Sequence, residues 1–184
     1  MIRPDVFRDQ PTLLGSTVRL EPVGSQHCDA LWESISEPEV LMLTGTHRSF
    51  TEAEVRDWVA TRQGQHDRAD WAIVRREDEA VLGEAVLNEF SADDESANFR
   101  IALGKPEYFG RGYGTEATRL VVRYGLDEAG LHRISLQVFD FNPRAQRVYE
   151  KCGFIPEGVE RDALNWDGEW HDALRMSILA TDPR

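Results

Sequence analysis

Three glycines alternate in the stretch Phe109-Gly110-Arg111-Gly112-Tyr113-Gly114-Thr115. Glycine accepts positive φ and lets a ligand approach the main chain closely. Successive N–H groups turned to one side of such a loop form a nest for an anion. Ala117, Leu120, Val121 and Tyr124 follow at helical spacing, so the loop opens a helix. The unbonded amides and positive dipole end of that helix add to the same field. Arg111 supplies a guanidinium whose planar fork suits phosphate oxygens. The chemistry on offer is the binding of a phosphate or pyrophosphate; a plain glycine turn is the alternative. Two familiar phosphate motifs are missing. Ala117 stands where G-x-G-x-x-G needs its third glycine, and no Gly-Lys-Ser/Thr follows.

The second chemically suggestive stretch runs from Asn142 to Phe154. Asn142 sits where an N-cap belongs, with Pro143 at the first helical position. Ala145, Val148, Tyr149 and Cys152 share one face, and Gly153 suits the left-handed residue that ends a helix. Tyr149 reads either as a core tyrosine on an apolar stripe or as a phenol held for use, and Cys152 as a small buried hydrophobe. Before this helix, Ile134, Leu136 and Val138 alternate with Ser135, Gln137 and Phe139 as in a strand. Arg100 interrupts another strand-like run; a charge within a sheet needs a partner, and Glu84, Glu89 or a substrate pocket could supply it.

These segments need a scaffold. Residues 1–16 read as an arm leading into a strand at Thr17–Pro22. Cys28, Leu31, Trp32 and Ile35 mark one helical face; Thr51-x-x-Glu54 is a capping box that opens a second helix bearing Val55, Trp58 and Val59. Trp71–Arg75 and Val81–Glu89 read as strands around a turn at 76–79, and Asn98–Leu103 as another. The acidic stretch 91–96 is a solvated hairpin turn or a lip that attracts an amine. Val159–Arg161 and Leu174–Leu179 read as late strands, joined by a loop carrying Trp166 and Trp170, which line a groove or pack on the sheet.

The 184 residues suit one domain with a proper core, spanning 1–184, and 41% hydrophobic content suits a globular chain. No run approaches a membrane span and no signal-peptide pattern opens the chain, so a cytoplasmic location and no membrane partner are expected. Cys28 and Cys152 offer neither a disulfide framework nor metal spacing, and the five histidines show no ligand pattern, so no metal is expected. His171, flanked by Trp170 and Asp172, is the one histidine placed for chemistry. A formal charge of −12 argues against nucleic acid, and fits either attraction of cationic amines or simple solubility.

The order strand, glycine loop, helix, strand, Asn-capped helix with Tyr149 and then Gly153-Phe154 resembles the GNAT superfamily of acyl-CoA N-acyltransferases. Leu82 to Phe154 carries the family core. The ending Gly168-Glu169-Trp170-His171-Asp172, with Met176, Ile178 and Leu179, is similar to the branch that acetylates ribosomal-protein N-termini, the RimJ/RimL type. The resemblance implies an α/β fold: a mixed twisted sheet of about seven strands flanked by helices, with a central splayed strand pair. It implies acetyl-CoA as co-substrate and a primary amine as acceptor. A protein or peptide N-terminal α-amine comes first, and a small amine (antibiotic, polyamine or amino acid derivative) second. Homodimers are frequent in such enzymes, so a homodimer is among the expected assemblies.

By the same resemblance, the amides of Arg111 to Thr115 hold the CoA pyrophosphate. The cofactor-binding set is Ile101, Leu103, Phe109, Gly110, Arg111, Gly112, Tyr113, Gly114, Thr115, Asn142, Arg147 and Tyr149. Phe109 replaces the family's usual Gln or Arg and leaves the backbone nest intact. Tyr149 is the expected acid, protonating the departing thiolate. Some relatives carry a basic glutamate where this chain has Gln137, and a glutamine takes no proton at neutral pH. The base is therefore sought among Glu84, Glu89 and Asp172, with Glu84 foremost, or in a water relay. An α-amine, with pKa about 7.7–8.0, needs less help than a lysine amine near 10.4. Two rival readings stand beside transfer: a CoA-binding regulatory module without catalysis, and an ATP-binding protein.

Overall fold

The computed structural model describes residues 7–183, so of the expected arm residues 1–6 lie outside the described residues. Two short strands come first, β1 (Leu13–Leu14) and β2 (Val18–Pro22), paired to each other antiparallel. Three helices follow: α1 (Cys28–Ser36), α2 (Pro38–Thr44) and α3 (Glu52–Ala60). Only two helices were expected here. The extra one, α2, has Pro38 in its first turn and ends on Gly45 at φ 64, a left-handed cap that glycine adopts without strain. The Thr51–Glu54 capping box is present: Glu54 N–H donates to Thr51 Oγ1 at 3.2 Å and Thr51 N–H to Glu54 Oε2 at 2.7 Å.

The meander β3 (Ala69–Arg75), β4 (Val81–Ser91) and β5 (Ser96–Leu103) then runs antiparallel. The acidic stretch is the hairpin turn between β4 and β5, with Ser91 Oγ bonded to Asp94 Oδ2 at 2.8 Å. Next come α4 (Tyr113–Arg123), extended by one π turn at Tyr124–Glu128, then β6 (Arg133–Phe139) and α5 (Pro143–Lys151). The chain finishes in β7 (Ile155–Trp166) and β8 (Glu169–Leu179). The expected loop carrying Trp166 and Trp170 is instead a tight hairpin, with both tryptophans inside the strands. Asp167 and Gly168, at φ 50 and 90, make the turn, and their positive φ matches the twist of the strands they join.

All strands share one sheet, in the order β1-β2-β3-β4-β5-β6-β8-β7. It has eight strands where about seven were expected, because Leu13–Leu14 pairs within the expected arm. Among the described residues the only parallel neighbours are β5 and β6. Their pairing is confined to Ser96↔Arg133, Ala97↔Ile134 and Asn98↔Ser135. From there β5 stays with β4 as far as Leu103, while β6 stays with β8 as far as Phe139. The sheet therefore splits along its middle, and the β6-facing edge of Phe99–Leu103 keeps peptide groups that no strand satisfies.

Strand alternation sends side chains to two cores. On the α4/α5 face, Ala85, Leu87, Phe99, Leu120, Val121, Leu136 and Tyr149 belong to one buried cluster, in which Trp71 and Tyr124 meet edge-on at 5.3 Å. On the α1/α3 face, Leu31, Val55, Val59, Ala72 and Val74 form a smaller one. Glu84 and Arg100 belong to the alternate set of β4 and β5, the face toward α1, α2 and α3.

Candidate active site

The glycine loop is left-handed at two positions. Gly110 and Gly112 take φ 71 and 88, values that cost an L-residue strain. Gly112 is the N-cap of α4 and has no side chain to cap with. The first intrahelical bond runs from Glu116 N–H to the Gly112 carbonyl at 3.0 Å, so the amides of Tyr113, Gly114 and Thr115 precede it. Gly110, Gly112, Gly114 and Thr115 line a cleft of about 580 Å³. Its floor is the open edge of β5, including Ile101 and Leu103; its other wall is β6 and α5, with Asn142, Arg147 and Tyr149. Phe109 also lines it, stacked against the Arg144 guanidinium at 3.9 Å, and Lys151 adds another cation. In a chain of net charge −12 this is a cationic mouth, complementary to phosphate groups.

Two expected residues, Arg111 and Tyr113, do not line the cleft. The Arg111 side chain turns back, its Nε donating to the Glu107 carbonyl at 2.8 Å. The Tyr113 ring packs on the core, 5.9 Å from the Arg75 guanidinium. Asn142 caps α5, its Oδ1 accepting from Ala145 N–H at 3.1 Å.

Tyr149 is buried, with its ring edge-on to Phe99 at 6.4 Å and Phe154 at 5.9 Å. Its hydroxyl has no hydrogen-bond partner among the described residues and borders the cleft. Burial, reinforced by Cys152, pushes its pKa well above the usual phenol value, so the group keeps its proton throughout the physiological range. The Cys152 thiol is likewise pushed up by burial, to about 11, and donates to the Thr115 carbonyl at 3.6 Å; it is an inert hydrophobe.

A second cleft, of about 600 Å³, lies between α1, α2, α3 and the sheet. Glu84 lines it together with Arg48, Phe50, Glu54, Trp58, Arg68 and Arg100. The Glu84 carboxylate makes no hydrogen bond among the described residues. Desolvation raises its pKa, with Asp70 adding to the effect and Arg100, Arg68 and Arg62 opposing it. Asp70 itself is fully buried and held by Arg68 through two bonds, at 2.8 and 2.6 Å. The two clefts share Val40, Thr44, Arg100, Ile101 and Ala102, so they meet where β5 leaves β6.

The other base candidates fare differently. Glu89 sits at a bulge in β4 with φ 53 and lines the first cleft from an exposed position. Asp172 lines neither cleft; its carboxylate accepts from Asp162 N–H at 2.9 Å on the β7–β8 side. His171 is engaged there too, 3.1 Å from Asp140 and edge-on to Phe141. Gln137 lines the first cleft and donates to Glu160 at 3.3 Å. The sequence reading missed the α2 residues Val40 and Thr44, which lie at the junction, and Leu43, which lines the first cleft. The Glu37-Pro38 step and Gly45 were the local signals for that helix. Among the described residues no group of three or more His, Cys, Asp or Glu could hold a metal, and no helix is long and apolar enough to cross a membrane.

Comparison with known proteins matches residues 17–155 to the acetyltransferase (GNAT) domain. A spermidine N(1)-acetyltransferase from Vibrio cholerae is 32% identical over 115 residues, taking in 62% of this chain and 66% of the relative, just under two thirds of its length. An FsC-acetyl coenzyme A-N(2)-transacetylase from Aspergillus fumigatus is 26% identical across 92% of this chain and 81% of its own. Among solved structures, spermidine N-acetyltransferase from Vibrio cholerae in complex with CoA and spermine superposes with a TM-score of 0.84 at 21% identity. That likeness covers 91% of this chain and 98% of the other, and it concerns the fold.

Proposed function

The chain belongs to the family of acetyltransferase (GNAT) domains, and from that premise we propose that it moves the acetyl group of acetyl-CoA to the nitrogen of a small primary amine. The observation that carries this reading is the junction of the two clefts at Arg100–Ala102. An anion nest and an open strand edge lie on one side, and an unbonded carboxylate on the other. A pantetheine arm pairs with the free edge of β5 as an added strand would, while the pyrophosphate rests on the α4 amides. The acceptor enters from the α1–α3 side. The first choice from sequence was a protein N-terminal α-amine. The small-amine acceptor is preferred here because the matched relatives include spermidine acetyltransferases and the acceptor cleft is a pocket bounded by three helices.

In this reading the uncharged amine attacks the thioester carbonyl carbon, forming a C–N bond. A main-chain N–H on the open edge of β5 faces the oxygen as it gains charge. Glu84 takes the proton that the nitrogen sheds. The C–S bond breaks, and Tyr149 delivers its phenolic proton to the departing thiolate, then regains one from water. Burial that holds the Tyr149 proton in place suits a donor that must not ionise beforehand.

Thiol release from acetyl-CoA, followed across small amines and peptide N-termini, tests the reading. Tyr149→Phe should lower kcat by about 10²–10⁴-fold while CoA still raises Tm as in the parent. Thermal stabilisation by CoA with no release to any acceptor would leave only a binding module, and stabilisation by ATP in place of CoA would point to the nucleotide reading.

A further inference from the structure

We propose that the acceptor carries a carboxylate beside its amine, gripped by Arg100 while Glu84 faces the nitrogen; this rests on the acetyl-transfer reading above. The charges lining the acceptor cleft are balanced. Arg48, Arg68 and Arg100 stand against Glu54, Asp57 and Glu84. Three of the six are already paired, Arg48, Glu54 and Arg68. Arg48 pairs with Glu54, whose carboxylate also accepts from Thr51 N–H at 2.7 Å in the α3 cap. Arg68 is committed to buried Asp70. Arg100 makes no hydrogen bond or ion pair among the described residues, yet it projects from a central strand into the point where both clefts meet. Glu84 likewise has no hydrogen bond there.

Register relates these two charges, neither of which is hydrogen-bonded among the described residues. Glu84 is paired with Ala102 and Val86 with Arg100, so Glu84 and Arg100 are diagonal neighbours on one face. Diagonal positions across antiparallel strands lie about 7–8 Å apart. A cation and an anion rising from neighbouring positions of one face complement a small skeleton with both an amine and a carboxylate, as in an amino acid. A polyamine has the opposite requirement. Each of its ammonium groups needs a carboxylate; Glu84 and Asp57 are the lining carboxylates without an ion pair among the described residues, and the Arg100 guanidinium diagonal to Glu84 repels a second ammonium.

The test pairs amino acids with the amines left when their carboxylate is removed, phenylalanine with phenethylamine and methionine with 3-(methylthio)propylamine, and adds spermidine. The carboxylate-bearing member of each pair should show the higher kcat/KM by roughly ten- to hundredfold, the range of a hydrogen bond to a charged group. In Arg100→Gln that ratio should collapse toward one through KM of the acceptor, with KM for acetyl-CoA held. Arg100→Glu should turn the preference toward spermidine. Faster turnover of spermidine and the plain amines in the parent overturns the inference while the transfer reading stands. A ratio that survives Arg100→Gln also overturns it, as does a change confined to KM for acetyl-CoA. Absence of transfer to every amine overturns both together.

Discussion

A carboxylate enclosed by protein holds its proton to higher pH than one in water, because burial penalises the charged form. Glu84 is such a group, so its basic form appears only above the ordinary glutamate range, and the rate should rise with pH through that raised value. Glu84→Gln should lower kcat by about 10²–10⁴-fold and erase the acidic limb of the pH–rate profile. The same variant should melt at or above the parent temperature at pH 7, since a carboxylate raised in the folded state costs stability once ionised. A retained limb would assign the base elsewhere, with Glu89 next. At this scale the sequence was partly legible. Tyr149 and Asn142 stood out because the cap, the apolar stripe and the terminal glycine are local patterns. Glu84 could not be told from Asp172 by type; what separates them is which face and which strand each occupies, and that is settled by pairing far along the chain.

In the proposed reading, helix α4 turns a glycine pattern into a binding surface. Its N-cap at φ 88 aims the first amides into the cleft, and its hydroxyl-free cap leaves them unsatisfied. Gly112→Ala should cost about 1–2 kcal/mol of stability through left-handed strain, read as a fall in Tm. It should also raise KM for acetyl-CoA on the order of tenfold as the charge-assisted bonds lose alignment; an unchanged KM would remove the nest from the reading. The loop, the α3 capping box and the Asn142 cap were readable because each needs only residues within a turn of one another. Helix α2 passed unread although Pro38 and Gly45 punctuate it, since its seven residues are too few for a periodic stripe. The β7–β8 hairpin was hidden for another reason: Trp166 and Trp170 suggested an exposed loop, when aromatic residues beside an Asp-Gly pair are a hairpin signature.

Across the whole molecule, strands distant in sequence are tied by paired charges as well as by ladders. Arg133 on β6 holds Glu157 on β7 through both guanidinium arms, and Ser177 on β8 donates to the same carboxylate at 2.8 Å. The Arg133 bonds lower the Glu157 pKa from 4.5 to about 2. A carboxylate lowered in the folded state adds stability that is complete above its unfolded value and lost as pH falls toward its folded one. The Tm gap between the parent and Glu157→Gln should therefore be open at neutral pH and close between pH 4.5 and about 2; a gap of constant width would show that the carboxylate acts by packing alone. The split in the sheet was not legible at all without the family resemblance. No residue at Asn98 or Ser135 announces that pairing stops there, because the stop comes from β6 following β8 while β5 follows β4. That split also bears on the kinetics of the proposed reaction. One cleft lies beside α4 and α5 and the other beneath α1 to α3, and they meet at Arg100–Ala102 of β5 and at Val40 and Thr44 of α2, so in the proposed reaction the two reactants would have separate entrances. Under that reading both would be seated at once, neither would have to leave before the other arrives, and the group would pass between them in a single encounter without being parked on the protein.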